Sequence, residues 1–252
     1  MGEIPKALRE KVHKGLKLLV ITGAGISAES GVPTFRGEDG LWKRYRAEDL
    51  ATPWAFERDP KLVWEWYNWR REIIAKAEPN AGHRAIAEME ALFPNFFLIT
   101  QNVDGLHRRA GNHKLMEIHG NLWLVRCTRE GAVWENHEVP LKEIPPRCGR
   151  CGALLRPHVV WFGESLDPEN LRLAYQLLKG CEVLLVVGTS GVVQPVASFP
   201  WEAKRHGAYV VEVNIEPTPI TRISDLFLKG KASEILPVFL NELKDCLLSR
   251  SN

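Results

Sequence analysis

Long apolar runs are absent from this chain of 252 residues: none approaches the roughly 20 residues that a bilayer-spanning helix needs. The amino-terminal stretch also lacks the continuous apolar region of a secretory signal, and residues 4–15 instead set Ile4, Leu8 and Val12 at a helical period. A cytoplasmic protein with no membrane partner is expected. An excess of one charge is missing too, because Lys+Arg 33 against Asp+Glu 31 leaves a net +2, so no direct nucleic-acid partner is expected. Cysteine is sparse: five residues, three of them clustered, argue against a disulfide framework and for metal or structural thiols. Internal repeats and low-complexity tracts are lacking as well, which excludes a solenoid.

What remains is a globular composition. A hydrophobic content of 45% over 252 residues suits one large domain, or a domain with an inserted lobe. Short apolar runs at residues 18–21, 96–100, 115–119, 183–187, 209–213 and 225–228 read as buried strands, several of them separated by helical patterns. That alternation predicts an α/β fold with a parallel sheet covered by helices on both faces. The clearest helix signal is Asp167-Pro168-Glu169, an N-cap followed by proline and an acid in the first turn, with Gly180 as its stop. Two segments break the alternation, residues 38–77 and 121–157, and both read as insertions that together form a second lobe.

In an open parallel sheet, ligands bind outside the carboxyl ends of the strands, so the polar residues there carry the functional signal. After the first strand comes Gly23-Ala24-Gly25-Ile26-Ser27-Ala28, a glycine-rich turn that suits close approach of backbone to a pyrophosphate. Gly31 and Pro33 interrupt the following helix within about two turns, which makes the segment a loop able to close over a ligand. The other strand ends carry Gln101-Asn102-Val103-Asp104, His119-Gly120, Gly188-Thr189-Ser190 and Asn214-Ile215-Glu216. The last fits a carboxylate accepting hydrogen bonds from ribose hydroxyls. His119 combines a pKa near neutrality with a place at the ligand-facing edge, and general base is its natural role; His107 and His158 are weaker candidates.

Together these motifs, GAGISAESGVPTFRG, TQNVDGLH, EIHG, VVWFGE, GTS and NIE, resemble the sirtuin family of NAD-dependent protein deacylases from about Leu18 to Leu236. The resemblance implies a Rossmann-like large lobe (approximately 1–37, 78–120 and 158–252) and a smaller helical, zinc-ribbon-like lobe built from two insertions (approximately 38–77 and 121–157). It assigns Gly23, Ala24, Gly25, Phe35 and Arg36 to the NAD loop and Gln101, Asn102 and Asp104 to the nicotinamide and ribose region. Gly188, Thr189, Ser190, Asn214 and Glu216 take the remaining ribose and phosphate contacts, with Ala232 beside the adenine. By the same resemblance His119 takes the place of the family's catalytic base, and the implied chemistry is attack of the acyl oxygen on the anomeric carbon, departure of nicotinamide, and deprotonation of a ribose hydroxyl by His119. Acyl-lysine peptides or proteins are the implied partners, paired along Val160, Trp161 and Phe162 on one side and Gly191-Val192-Val193 on the other.

The cysteines add a second expectation. Cys148-x-x-Cys151 with Cys127 upstream makes up most of a four-cysteine structural zinc site, but the family's fourth position holds Glu130. Glu130 or His137 as fourth ligand, a three-cysteine site, and buried thiols without metal all stay open. On the helix predicted over residues 61–77, Val63, Tyr67, Arg70 and Ile74 share one face. Tyr67-x-x-Arg70, with Ala51 as a small residue at the acyl pocket, is similar to the branch acting on succinyl and malonyl lysine. Deacetylation and mono-ADP-ribosyl transfer are the alternatives within the family. A nicotinamide-dependent dehydrogenase and a zinc-ribbon binding module are the alternatives outside it.

Overall fold

The computed structural model describes residues 4–34 and 47–249, so the expected cofactor-loop residues Phe35 and Arg36 lie outside the described residues. In chain order the strands are β1 (Lys17–Thr22), β2 (Asn95–Thr100), β3 (Leu115–Glu117), β4 (Gly120–Cys127), β5 (Val133–Glu135), β6 (Leu155–Val159), β7 (Val183–Val187), β8 (Tyr209–Asn214) and β9 (Leu226–Lys229). Six form one sheet in the order β3-β2-β1-β7-β8-β9, and every pairing in it is parallel. The chain leaves the central β1 first to one side and then to the other. This is the Rossmann order, in which the strand ends diverge next to β1 and open a crevice. The six strands coincide with the six apolar runs read from the sequence.

The sheet is apolar on both faces. Along β1, Leu18 and Val20 join one buried cluster while Leu19 and Ile21 join another, and β7 divides the same way, with Leu185 and Val187 against Leu184 and Val186. Such two-sided burial is why these strands read as unbroken hydrophobic runs. The helices are α1 (Lys6–Arg9), α2 (Gly25–Ala28), α3 (Ala47–Leu50), α4 (Pro53–Arg58), α5 (Pro60–Lys76), α6 (Ala81–Leu92), α7 (Leu106–Ala110), α8 (Pro168–Gly180), α9 (Phe199–Arg205) and α10 (Ala232–Ser249). Helices α6 and α10 cover one face of the sheet, and α8 and α9 the other. Asp167 caps α8 as expected, its carboxylate accepting from the N–H groups of Glu169 and Asn170 at 2.9 and 3.0 Å.

The helical period at the amino terminus yields only one α-helical turn. Beyond Arg9 the chain continues through i→i+3 hydrogen bonds, Lys11 N–H to Leu8 O and Val12 N–H to Arg9 O, which keep Ile4, Leu8 and Val12 buried without extending the helix.

Strands β4, β5 and β6 make a separate antiparallel sheet in the order β5-β4-β6. A third apolar cluster joins it to α4 and α5 through Phe56, Val63, Trp64, Tyr67, Val125 and Leu155. The fold class is therefore α/β, a Rossmann-like parallel sheet with a smaller helical and ribbon-like part. No helix among the described residues is long and apolar enough to cross a membrane.

Candidate functional site

Four strand ends meet beside β1. Gly23 N–H donates to Val187 O at 3.0 Å and Gly25 N–H to Gly188 O at 2.8 Å, so the loops after β1 and β7 lie backbone against backbone. A Cβ on Gly23 would come within 2.8 Å of Gly188 O, and one on Gly188 within 2.6 Å of Ile26 N. The glycines are thus required first by contact between the two loops, a reason that the motif alone does not reveal. Gln101 Nε2 donates to Thr189 Oγ1 at 2.9 Å and Asn214 Nδ2 to Thr189 O at 2.9 Å, tying the ends of β2 and β8 to that of β7. Ala24 and Ser190 are half-buried beside these contacts, whereas Glu216 is exposed beyond β8. Ala232 is buried at the start of α10, against Gly82 of α6.

His119 follows β3 and is half-buried, with Nδ1 3.2 Å from Gln101 O. A carbonyl only accepts, so Nδ1 carries the proton and Nε2 keeps its lone pair. Burial holds its pKa below 6.5, partly offset by that same hydrogen bond. The result is a neutral imidazole poised as a base.

A directed network lies beneath. Asn80 N–H meets His83 Nδ1 at 3.3 Å, which leaves His83 Nε2–H to donate to Ser27 Oγ at 3.3 Å. Ser27 Oγ then donates to Asp104 Oδ2 at 2.7 Å, while Asn102 Nδ2 reaches both Ser27 Oγ and Gly23 O at 3.1 Å. Burial raises the pKa of Asp104, opposed by its hydrogen bonds from Leu106 N–H and Ser27 and by the charge of Arg70. Ser27 and His83 escaped the sequence reading, although Asn80-x-x-His83 has the spacing of a capping box at the start of α6. His107 sits deeper, with Nε2 2.9 Å from Thr22 Oγ1, and His158 lies on β6.

The residues expected to meet substrate come together on the other side. Val160 N–H donates to His119 O and Phe162 N–H to Ala51 O, each at 2.9 Å, so one extended segment runs from the histidine to the loop before α4. Trp161 Nε1 donates to Tyr67 Oη at 2.8 Å, which leaves the phenol its own proton to donate. Tyr67 and Arg70 are both buried on α5. Burial pushes the Tyr67 hydroxyl up and the Arg70 guanidinium down, each moderated by its charge interaction with the other. Phe162, Val192 and Val193 remain exposed.

Cys127, Glu130, Cys148 and Cys151 gather at the end of β4, with one donor atom of each within 4.8 Å of all the others. Cys127 Sγ and Cys151 Sγ are 3.5 Å apart, and Glu130 N–H points at Cys127 Sγ from 3.4 Å. Three thiolates and a carboxylate suit a tetrahedral structural zinc. His137 stacks on Trp123 at 5.4 Å between centroids and is not part of this group.

Comparison with known proteins agrees with this architecture. The Sir2 family model matches residues 23–195. An NAD-dependent protein deacylase of Aquifex aeolicus is 57% identical over 92% of this chain and 97% of its own length. One from Pyrococcus furiosus is 52% identical over 97% and 98%. A crystal structure of a Sir2 homolog–NAD complex superposes with a TM-score of 0.90 at 45% identity, covering 97% of this chain and 95% of that one. A Sir2–p53 peptide–NAD+ complex gives 0.79 at 32% identity, covering 89% and 92%. With the family model matching residues 23–195 and relatives 52–57% identical over nearly the whole chain, the chain belongs to the Sir2, or sirtuin, family.

Proposed function

We propose that this chain is an NAD-dependent protein-lysine deacylase that removes succinyl and malonyl groups and also accepts acetyl, giving nicotinamide and O-acyl-ADP-ribose. The observation that carries the acyl preference is Tyr67 and Arg70, buried together on α5, with the Tyr67 oxygen already engaged by Trp161. A guanidinium fork and a free phenolic proton suit a carboxylate at the end of an acyl chain, because charge-assisted bonds offset its desolvation. Ala51, joined to the substrate segment through Phe162 N–H, is the small residue expected at the acyl pocket.

The glycine loops, Gln101, Asn102, Asp104, Thr189 and Asn214 fit NAD, which when bound supplies an electrophilic anomeric carbon and accepts the acyl group. His119, with Nδ1 held by Gln101 O, has Nε2 available to take a proton from a ribose hydroxyl. The N–H groups of Val160, Trp161 and Phe162 are bonded to His119 O, Glu164 Oε2 and Ala51 O, so the carbonyls of Val160 and Phe162 are what this segment offers a peptide, a main-chain mode that tolerates varied sequences. The metal site, as Cys127, Cys148, Cys151 and Glu130, has a structural role.

Mass spectrometry of acetyl-, succinyl- and malonyl-lysine peptides, with and without NAD, tests the reading. Wild type is expected to remove all three only when NAD is present, and Arg70→Met to lose most desuccinylation, at least about tenfold, while largely keeping deacetylation. Equal loss on both peptides would assign Arg70 a purely structural role.

A further inference from the structure

Strand β6 delivers a residue that neither the NAD side nor the metal side of the site uses. Arg156 is 8% exposed. Its Nη1 and Nη2 donate to Oε1 and Oε2 of Glu164 at 2.6 and 2.8 Å, and Nη2 also reaches Val159 O at 3.0 Å. The flat guanidinium lies over Trp161, with Cζ 3.5 Å from the ring centroid. Glu164 Oε2 accepts in turn from Trp161 N–H at 2.8 Å.

These contacts surround a tight turn. Glu164 N–H donates to Trp161 O at 3.0 Å, and Gly163 at φ 88° occupies the turn position that requires positive φ. Phe162 is thereby lifted outward and is 42% exposed, while Trp161 is turned inward and is 3% exposed. One guanidinium holds both limbs of the turn: the far limb through the Glu164 fork, the near limb through the Trp161 face. The indole passes this constraint to Tyr67 Oη through the 2.8 Å bond. A lysine would carry the charge but offers neither a fork nor a plane to lie on the ring. If the arginine served only to brace β6, its contact with the Trp161 ring would have no consequence for selectivity, and its loss would affect every substrate alike.

We propose that Arg156 is a positioning residue for acyl selectivity, holding Trp161 so that the Tyr67 hydroxyl is presented to the carboxylate of the acyl chain. This rests on the carboxylated-acyl reading above. The test is steady-state kinetics of wild type, Arg156→Lys, Glu164→Gln, Tyr67→Phe and the Arg156→Lys/Tyr67→Phe double variant, with succinyl- and acetyl-lysine peptides and with NAD varied, folding being checked by circular dichroism. Arg156→Lys is expected to raise KM for the succinyl peptide about tenfold, to leave KM for NAD within about twofold, and to affect the acetyl peptide far less. Glu164→Gln, which keeps the shape of the fork, shifts selectivity in the same direction by less and decides the matter should the lysine variant fail to fold. In the Tyr67→Phe background Arg156→Lys changes the succinyl-to-acetyl ratio no further, because its effect passes through Tyr67. Equal losses on both peptides, or selectivity losses that multiply in the double variant, overturn the proposal. Should wild type cleave acetyl-lysine alone, the carboxylate reading has failed. The selectivity role of Arg156 then falls with it, whereas succinyl cleavage by wild type that Arg156→Lys leaves unchanged overturns the positioning role alone.

Discussion

His119 illustrates what a single residue owes to its surroundings. The base role proposed for it needs a neutral ring, and burial lowers its pKa below 6.5 while Gln101 O selects the tautomer. A depressed pKa keeps the ring unprotonated as the medium is acidified, so the acid limb of kcat/KM should be centred below pH 6.5. A pH–rate profile with its midpoint at or above 6.5 would count against His119 as the group responsible. The residue was legible because it follows a strand at the ligand-facing edge of the sheet. Arg156 was not, since its partners Glu164 and Trp161 reach it only after the turn at Gly163 has folded, and Tyr67 arrives from another element altogether. His83 falls between the two cases: its sequence spacing from Asn80 announces a helix start, but nothing in that spacing announces Ser27.

Among the elements, the central strands β1 and β7 were the most legible, because burial on both faces leaves no polar position within Leu18–Ile21 or Val183–Val187. The antiparallel strands β4, β5 and β6 were visible only as a break in the alternating plan. Strand β4 mixes buried with half-buried positions and β5 has only three residues, and a cysteine group links the end of β4 to the loop before β6. That link predicts a local response to metal removal. A strong zinc chelator should raise hydrogen exchange across residues 127–155, while β1 and β7 stay protected. Glu130→Cys, which completes a four-thiolate set, should slow zinc release to the chelator relative to wild type, and Glu130→Ala should hasten it. Identical release rates in all three proteins would remove Glu130 from the metal.

At the scale of the whole molecule, two neutral histidines share its buried centre, with His83 and His107 rings 4.8 Å apart. Burial holds His83 down to about 4 and His107 well below 6.5, and each proton acquired on unfolding favours the unfolded chain. Because the unfolded chain binds more protons in this window, stability is complete above pH 6.5 and falls as pH drops toward 4. Urea midpoints measured from pH 7.5 to 4 should show the decline, and a flat profile would contradict it. The interlocked loops at Gly23 and Gly188 carry a consequence of another kind. Where two backbones touch, no side chain can be added, so drift by point substitution is blocked at the floor of the crevice. Ala51, Tyr67 and Trp161 belong to a different cluster, where side chains and not backbones meet. The architecture therefore divides heritable change unequally: descendants of this chain can acquire a new acyl diet while inheriting the NAD floor unaltered.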